Sequence, residues 1–337
     1  MASAVPPQLA HIGLVVIGRN EGERLARCLR SVPQGVGAVV YVDSGSTDDS
    51  VALARSLSVE VVELDMSVPF TAARGRNAGF ARLQELERGV EAVQFVDGDC
   101  ALAEGWLVAA LSALDARPDV VAVWGRRREM AREATPFNRL CDLEWGQDAP
   151  GETEAFGGDV MVRTAAVVAV GGYDARMIAG EDPDFAVRLR RNGGRLLRID
   201  ADMTWHDADM HTIGQWWRRA YRCGYAYGQV SAKHAEDGGD FWRSEKRRAL
   251  TWGLAVPIAI PALAAPTLGA STLLLGAYPL RAARLALRCR KQGWGSGDAA
   301  LWATNCIGAS FPEALGVARY YWDRVRGRGG RIIEYKR

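Results

Sequence analysis

The chain has 337 residues, 48% of them hydrophobic and 24% charged, with a formal net charge of +2. That length suits one large α/β domain with an appendage, and the near-balanced charge argues against a dominant nucleic-acid role, which needs a strong basic excess on one face. Six cysteines, Cys28, Cys100, Cys141, Cys223, Cys289 and Cys306, are scattered without a Cys-x-x-Cys pair; this argues against a disulfide framework or a zinc site and fits a reducing, cytosolic setting. Met1 to Ala10 lacks a basic stretch followed by an apolar core, so no secretory signal is expected, and no internal repeat or low-complexity tract is visible.

Ile12 to Ile17 is almost continuously apolar, as a strand buried on both faces requires. The chain breaks at Gly18-Arg19-Asn20-Glu21, and a helix with Leu25, Cys28 and Leu29 on one face is expected from Glu23. Ala38 to Val42 reads as a second strand, followed by the turn and cap run from Asp43 to Ser50 and a helix from Val51 to Leu57. Val59 to Leu64 is a third short strand, and Ala72 to about Leu86 a helix opening on Arg74-Gly75-Arg76-Asn77-Ala78-Gly79. Ala92 to Val96 is a fourth strand, running into Asp97-Gly98-Asp99. Strands alternating with helices predict a mostly parallel sheet covered on both faces. Ligands bind outside the carboxyl ends of such strands, and Glu21, Asp43 and Asp97 all fall at those ends. Asp97 and Asp99 would share a face if the strand continued. Such an oxygen pair suits a divalent cation with positions left for phosphate, although the triplet alone also reads as a solvated turn.

Val120 to Trp124 is a further strand, and the basic run Gly125-Arg126-Arg127-Arg128 after it reads as a solvated face. Phe156-Gly157-Gly158-Asp159 is a glycine turn entering a strand to Arg163, and Val170 to Asp174 is a second turn. Gly180-Glu181-Asp182-Pro183 precedes a helix from Phe185 to Arg191 that stops at Asn192-Gly193-Gly194. Strand character resumes from Arg195 to Ile199, ahead of Thr204-Trp205-His206-Asp207.

Six blocks stand in order: Asn20-Glu21, Val42 to Asp48, Gly75 to Gly79, Asp97-Gly98-Asp99, Gly171 to Asp174 and Gly180-Glu181-Asp182. In these the chain resembles family 2 of the glycosyltransferases, inverting enzymes of the GT-A fold, from Ile12 to about Arg222. The resemblance implies a Rossmann-like, nucleotide-sugar-dependent domain over residues 1–240 and a Mg²⁺ or Mn²⁺ cofactor. It implies that Gly18, Asn20, Glu21, Asp43, Gly45, Arg76, Asp97, Gly98, His206 and Arg218 contact the nucleotide-sugar donor. Asp43 would accept from the base and Arg76 would face the diphosphate, a role suited to a planar, always-charged fork. Asp99, with Asp97 and His206, would hold the metal. Asp182, with Glu181 sharing its site, would be the general base that inversion needs. The residues allow other readings: Asp43 as a turn residue, Arg76 as an exposed helix arginine, Asp182 as a cap before Pro183, His206 as a structural histidine. Gln215-Trp216-Trp217-Arg218-Arg219 resembles the Gln-x-x-Arg-Trp block of processive members with arginine for the final tryptophan, which speaks against processive synthesis. Its tryptophans read as acceptor-stacking or as packing residues.

Residues 249–280 carry no charge, and basic residues flank them from Arg243 to Arg248 and from Arg281 to Lys291. That run exceeds the roughly 20 residues of a membrane-spanning helix, yet Pro257, Pro261, Pro266 and Pro279 interrupt it. Region 241–337 is therefore expected to be helical and membrane-associating, entering and leaving as a re-entrant hairpin at the cytoplasmic face; a buried helix pair is the alternative. The basic end of the chain, from Asp323 to Arg337, is expected near anionic lipid. The resulting expectation is sugar transfer from a nucleoside-diphosphate donor, UDP-linked by preference, to a hydroxyl of a glycan or lipid-linked acceptor in cell-surface polysaccharide synthesis. Its rivals are a sugar-nucleotide pyrophosphorylase, for which the loop at Gly18 lacks a glycine-rich basic stretch, and a non-catalytic membrane-bound scaffold.

Overall fold

The structure is a computed structural model that describes residues 7–236 and 238–327. Contacts divide the chain into two compact units, one of residues 1–131, 145–177 and 181–208, the other of 132–144, 178–180 and 209–337. The first unit opens with β1 (Ile12–Gly18), α1 (Glu23–Arg30), β2 (Ala38–Asp43), α2 (Ser50–Ser56), β3 (Glu60–Glu63), α3 (Ala72–Glu85) and β4 (Ala92–Asp97). It continues with β5 (Cys100–Leu102), α4 (Trp106–Ala116), β6 (Val120–Glu129), α5 (Pro136–Trp145, whose last residue alone belongs to this unit), β7 (Gly151–Thr153), β8 (Val160–Arg163), α6 (Thr164–Ala169), α7 (Glu181–Arg191) and β9 (Arg195–His206).

One sheet holds all nine strands, in the order β3-β2-β1-β4-β8-β6-β9-β5 with β7 on β9. The first four pair in parallel, as the alternating pattern predicts. Beyond β4 the sheet is mixed, which corrects the expected mostly parallel arrangement: β8 runs antiparallel to β4 and β6, β5 and β7 antiparallel to β9, and only β6 and β9 are parallel. The chain still crosses through α4 to β6, which runs in the direction of β4, but β8 inserts antiparallel between the two and the short strands β5 and β7 add antiparallel to β9. The core is the sheet's apolar filling, with Leu14, Val15, Val16, Val40, Val93 and Phe95 removed from solvent. β1 lies between β2 and β4, so the connections leave it in opposite directions. That is the switch point where a crevice opens beyond the strand ends, and Gly18 to Glu21 and Asp97 border it.

The second unit holds α8 (Ile213–Ala235), α9 (Arg243–Leu250), α10 (Val256–Ala262), α11 (Ala277–Lys291), α12 (Ser296–Gly308) and α13 (Ser310–Val325). A π-helical turn at Thr251–Ala255 joins α9 to α10, and a 3₁₀ stretch at Ala270–Gly276 leads into α11. α8 and α13 cross at glycines: a Cβ on Gly224 would lie 1.9 Å from the Glu313 carbonyl oxygen and one on Gly316 2.1 Å from that of Tyr221. Gln215 completes a capping box with Thr212 at the start of α8. Trp216 donates to Asn305 at 2.8 Å, so it packs within this unit, while Trp217 and Arg218 are exposed. Among the described residues no helix is long and apolar enough to cross a membrane. The basic end from residue 328 onward lies outside the described residues.

Candidate active site

Loops at the ends of β1 and β2 are laced together. Asn20, held at φ 56°, receives the Thr47 N–H on its side-chain oxygen at 2.7 Å and donates its own N–H to Ser46 Oγ at 2.8 Å. Asp43 is buried at the end of β2 and accepts from Gly45 N–H (2.9 Å), Ser46 N–H (2.8 Å) and the Tyr41 hydroxyl (2.9 Å). The turn reading of Asp43 therefore holds. A carboxylate takes about four donors, so one position remains for a ligand such as a base. Glu21 pairs with Arg24 at 2.9 Å, Gly18 accepts the Ser44 N–H at 3.0 Å, and Gly98 donates to the Ile17 carbonyl at 2.8 Å.

Arg76 is the pivot of the site. It is only 2% exposed, so the exposed-helix reading is wrong for it. Its fork reaches Asp97 at 2.9 Å, Glu181 at 3.1 Å and Asp182 at 3.3 Å, and it lies over the Tyr173 ring at 5.3 Å. Burial opposes its charge, but the carboxylates of Asp182 and Asp97 outweigh that and hold its pKa well above the ordinary value. Asn77, next along α3, clamps the Tyr173 backbone from both sides, accepting its N–H at 2.8 Å and donating to its carbonyl at 2.7 Å. Thus the blocks at Gly75, Asp97, Gly171 and Gly180 are one contiguous piece of structure.

Asp182 sits in the first turn of α7 with Glu181, Pro183 and Asp184, where acidic residues suit the helix dipole. Its Oδ2 accepts the Gly158 N–H at 2.8 Å, while Oδ1 accepts no hydrogen bond and faces Arg76. Burial raises its pKa to about 7, against the pull of Arg76 and helped by Glu181 and Asp97. Burial thus outweighs both the helix terminus and the guanidinium.

The metal-binding candidates fall differently from the expectation. Strand β5 runs antiparallel to β9 with Cys100 opposite His206, and this register brings His206 Nε2 to 3.5 Å from Asp99 Oδ2. Asp99, Cys100 and His206 offer ligand atoms all within 4.8 Å of one another. Asp97 stands outside this group and is engaged by Arg76, because the strand ends at Asp97 and Asp99 lies past the turn. Burial, against the pull of Glu129, lowers the His206 pKa, leaving a neutral imidazole fit to ligate. Glu129 faces its other nitrogen at 3.5 Å, the position from which an outer carboxylate orients a ligating imidazole. Burial keeps the Cys100 thiol protonated, and it donates to Asp99 at 3.4 Å. A carboxylate and an oriented imidazole are a donor set that fits Mg²⁺ or Mn²⁺.

Three further residues of the site carried no recognisable signal in the sequence. Asp159, wholly buried, accepts the Asp97 N–H at 3.0 Å and the Thr204 hydroxyl at 2.6 Å, and pairs with Arg127 at 2.9 Å. Arg127 also lies 3.8 Å from Asp97 and over the Trp145 ring at 5.4 Å, and Trp145 meets His206 edge-on at 4.7 Å. The basic run is therefore not a uniform solvated face. Arg126 and Arg128 pair with Asp202 on the more exposed side, and Arg127 alone turns inward. Gly158 makes room for it: φ is +73°, and a Cβ would lie 1.9 Å from the Arg127 guanidinium. Removing one partner of such a buried pair strands the other charge, so Asp159→Ala is expected to cost about 3–5 kcal/mol in urea unfolding. Arg126→Met should cost less than about 1 kcal/mol. Of the expected donor contacts, Arg218 stands in the second unit, whereas the others lie in the first.

Residues 14–165 match the family described as Glycosyl transferase family 2. The pre-mycofactocin glycosyltransferase of Mycobacterium tuberculosis (strain H37Rv) is 29% identical over 216 residues, 60% of this chain and 43% of that protein. A TPR repeat-containing protein of Synechococcus elongatus is 30% identical over 136 residues, 40% of this chain and 32% of its own. The chain thus spans less than half the length of these relatives. In fold it is similar to the mannosyltransferase PcManGT of Pyrobaculum calidifontis, solved with GDP-Man and Mn²⁺, at TM-score 0.63 and 20% identity over 93% of this chain and 88% of that one. It is also similar to S. aureus TarS 1-349, solved with UDP-GlcNAc, at TM-score 0.50 and 15% identity over 94% of this chain and 92% of that one. Over residues 14–165, from β1 to β8, the chain carries a glycosyl transferase family 2 domain, and its fold is GT-A-like α/β.

Proposed function

We propose that this chain is an inverting, hexosyltransferase-type enzyme that moves a sugar from a nucleoside diphosphate, UDP by preference, to a hydroxyl of a glycan or lipid-linked acceptor in cell-surface polysaccharide synthesis. The observation that carries this reading is the Arg76 cluster: a buried guanidinium holds Asp97, Glu181 and Asp182 together, and Asp182 is tuned to about 7. A general base works best with a pKa near the operating pH. In the proposed reaction Asp182 Oδ1, which accepts no other hydrogen bond, takes the acceptor's proton. The acceptor oxygen then bonds to the anomeric carbon from the face opposite the diphosphate, whose bond to that carbon breaks and carries the electron pair away. Inversion follows from that geometry. Arg76 and the Gly158 N–H keep the Asp182 carboxylate aimed, and the free position on Asp43 receives a donor group of the base. Asp99 and His206 would hold Mg²⁺ or Mn²⁺, which supplies positive charge against the donor's diphosphate.

The test is incubation of the protein with UDP-, GDP-, dTDP- and CDP-sugars and acceptor extracts, following nucleoside diphosphate release and the anomeric configuration of the product. A product of inverted configuration supports the proposal; a retained one, or sugar-nucleotide formation from a sugar phosphate, overturns it. Binding to the folded state raises the melting temperature. One nucleoside diphosphate with Mn²⁺ is therefore expected to stabilise the wild type by several degrees. The Asp99→Asn and His206→Gln variants should lose most of that metal-dependent shift.

A further inference from the structure

Between Ala255 and Leu280 the second unit presents an almost wholly apolar surface to solvent. Ile258, Leu263, Leu268, Leu273, Leu275 and Leu280 are exposed, Leu268 to 96% and Leu273 to 80%. Soluble monomers rarely leave so much contiguous apolar surface uncovered. The segment doubles back on itself: Ser271 Oγ donates to the Ile260 carbonyl at 2.7 Å, and the Tyr278 hydroxyl to the Trp252 carbonyl at 2.7 Å. Each hydroxyl between Trp252 and Ala277 is turned back onto a carbonyl of the same hairpin: Thr267 on Leu263 (2.6 Å), Ser271 on Ile260 and Thr272 on Gly269 (2.7 Å). In water such groups need no internal partner; in hydrocarbon they do.

The base of the hairpin has a different chemistry. Trp252 meets Tyr278 edge-on at 5.7 Å, and Arg281 lies over the Trp252 ring at 4.8 Å. Aromatic rings beside arginine suit the headgroup level of a bilayer. Exposed Arg243, Arg247, Arg284, Arg288, Arg290 and Lys291 flank both legs, and Glu245 is the only acidic residue from 243 to 291. The helical leg Thr251–Ala262 rises about 18 Å at ~1.5 Å per residue. Half a hydrocarbon core of ~30 Å is about 15 Å, so the leg suits one leaflet and does not span two.

We propose that the hairpin between Trp252 and Arg281 inserts into the cytoplasmic leaflet of an anionic membrane, with the Trp252–Tyr278–Arg281 collar at the headgroups. Its occupant is lipid and not a second copy of the chain: the basic flanks on both legs match anionic headgroups and would repel one another across a symmetric interface. Both flanks stay on the side of entry, which the bias of basic residues makes cytoplasmic. The proposal does not depend on the sugar-transfer reading.

The test uses the full chain and flotation with phosphatidylcholine vesicles, with and without about one-third phosphatidylglycerol. The protein should float with the anionic vesicles and bind less tightly as salt rises. Leu268→Asp and Leu273→Asp should each weaken binding about tenfold or more, as an aspartate placed in hydrocarbon requires. The control Leu57→Asp, on the first unit, should bind like the wild type. Sedimentation without lipid covers the rival: a tight dimer dispersed by Leu268→Asp, with no vesicle binding, would overturn the proposal. So would wild-type protein that stays with the soluble fraction at low salt, or binding insensitive to both leucine substitutions.

Discussion

Asp182→Asn is expected to lower turnover by about 10²- to 10⁴-fold, the usual contribution of a positioned general base, while leaving nucleotide binding within a few-fold of wild type. The amide keeps the shape and can still accept from the Gly158 N–H that Asp182 accepts at 2.8 Å, but it takes no proton. In the wild type the rate should climb with pH through about 7, where burial places the Asp182 ionisation, and level off above it. Stability runs the other way. A carboxyl whose folded pKa is raised favours the folded state while protonated, so its contribution is complete below about pH 4 and is lost as pH rises toward 7. The wild type is therefore expected to lose melting temperature between pH 5 and 8 by more than Asp182→Asn does. A variant that retains wild-type turnover would remove Asp182 from the mechanism. Equal pH dependence of melting in both proteins would remove the raised pKa.

Arg76→Met is expected to be the most damaging single change in the first unit. Three carboxylates, those of Asp97, Glu181 and Asp182, lie within 3.3 Å of one guanidinium that is almost wholly buried. Without it they face one another, and breaking a buried ionic network by removing one partner costs about 3–5 kcal/mol. Part of the cost is recovered by protonation, so the loss should be smaller at pH 5 than at pH 8. Urea unfolding at the two pH values measures this directly. Arg76→Lys keeps the charge as a point and loses the fork that serves three acceptors; it should fold better than Arg76→Met and still turn over far more slowly than wild type. A variant with unaltered stability at pH 8 would show that the cluster is held by packing alone.

Both predictions rest on a group of residues that was partly legible beforehand. The carboxyl ends of β1, β2 and β4 are visible because apolar runs and their glycine breaks are local properties of the chain. The motif blocks are visible because each must keep its residue types to fit the others: Asn77 on Tyr173, and Arg76 on Glu181 and Asp182. Asp159, Arg127, Glu129 and Trp145 carry no such signal, because nothing in their immediate sequence separates them from turn, surface or packing residues.

The sequence by itself therefore determined the parallel half of the sheet, the order of the site blocks and their resemblance to one glycosyltransferase family. Those depend on periodicity and spacing along a few residues. Tertiary structure decided which charges are buried and what they touch. The antiparallel register of β5 on β9 sets His206 beside Asp99, separating the metal-binding candidates from Asp97. The inward turn of Arg127 onto Asp159 takes most of one arginine of three out of solvent. The pairing of β4 with β8 carries Gly158 and Asp159 to the site. Each of these joins residues 30 or more positions apart, and burial, which sets the proton affinity of Asp182, exists only once the chain has closed around it.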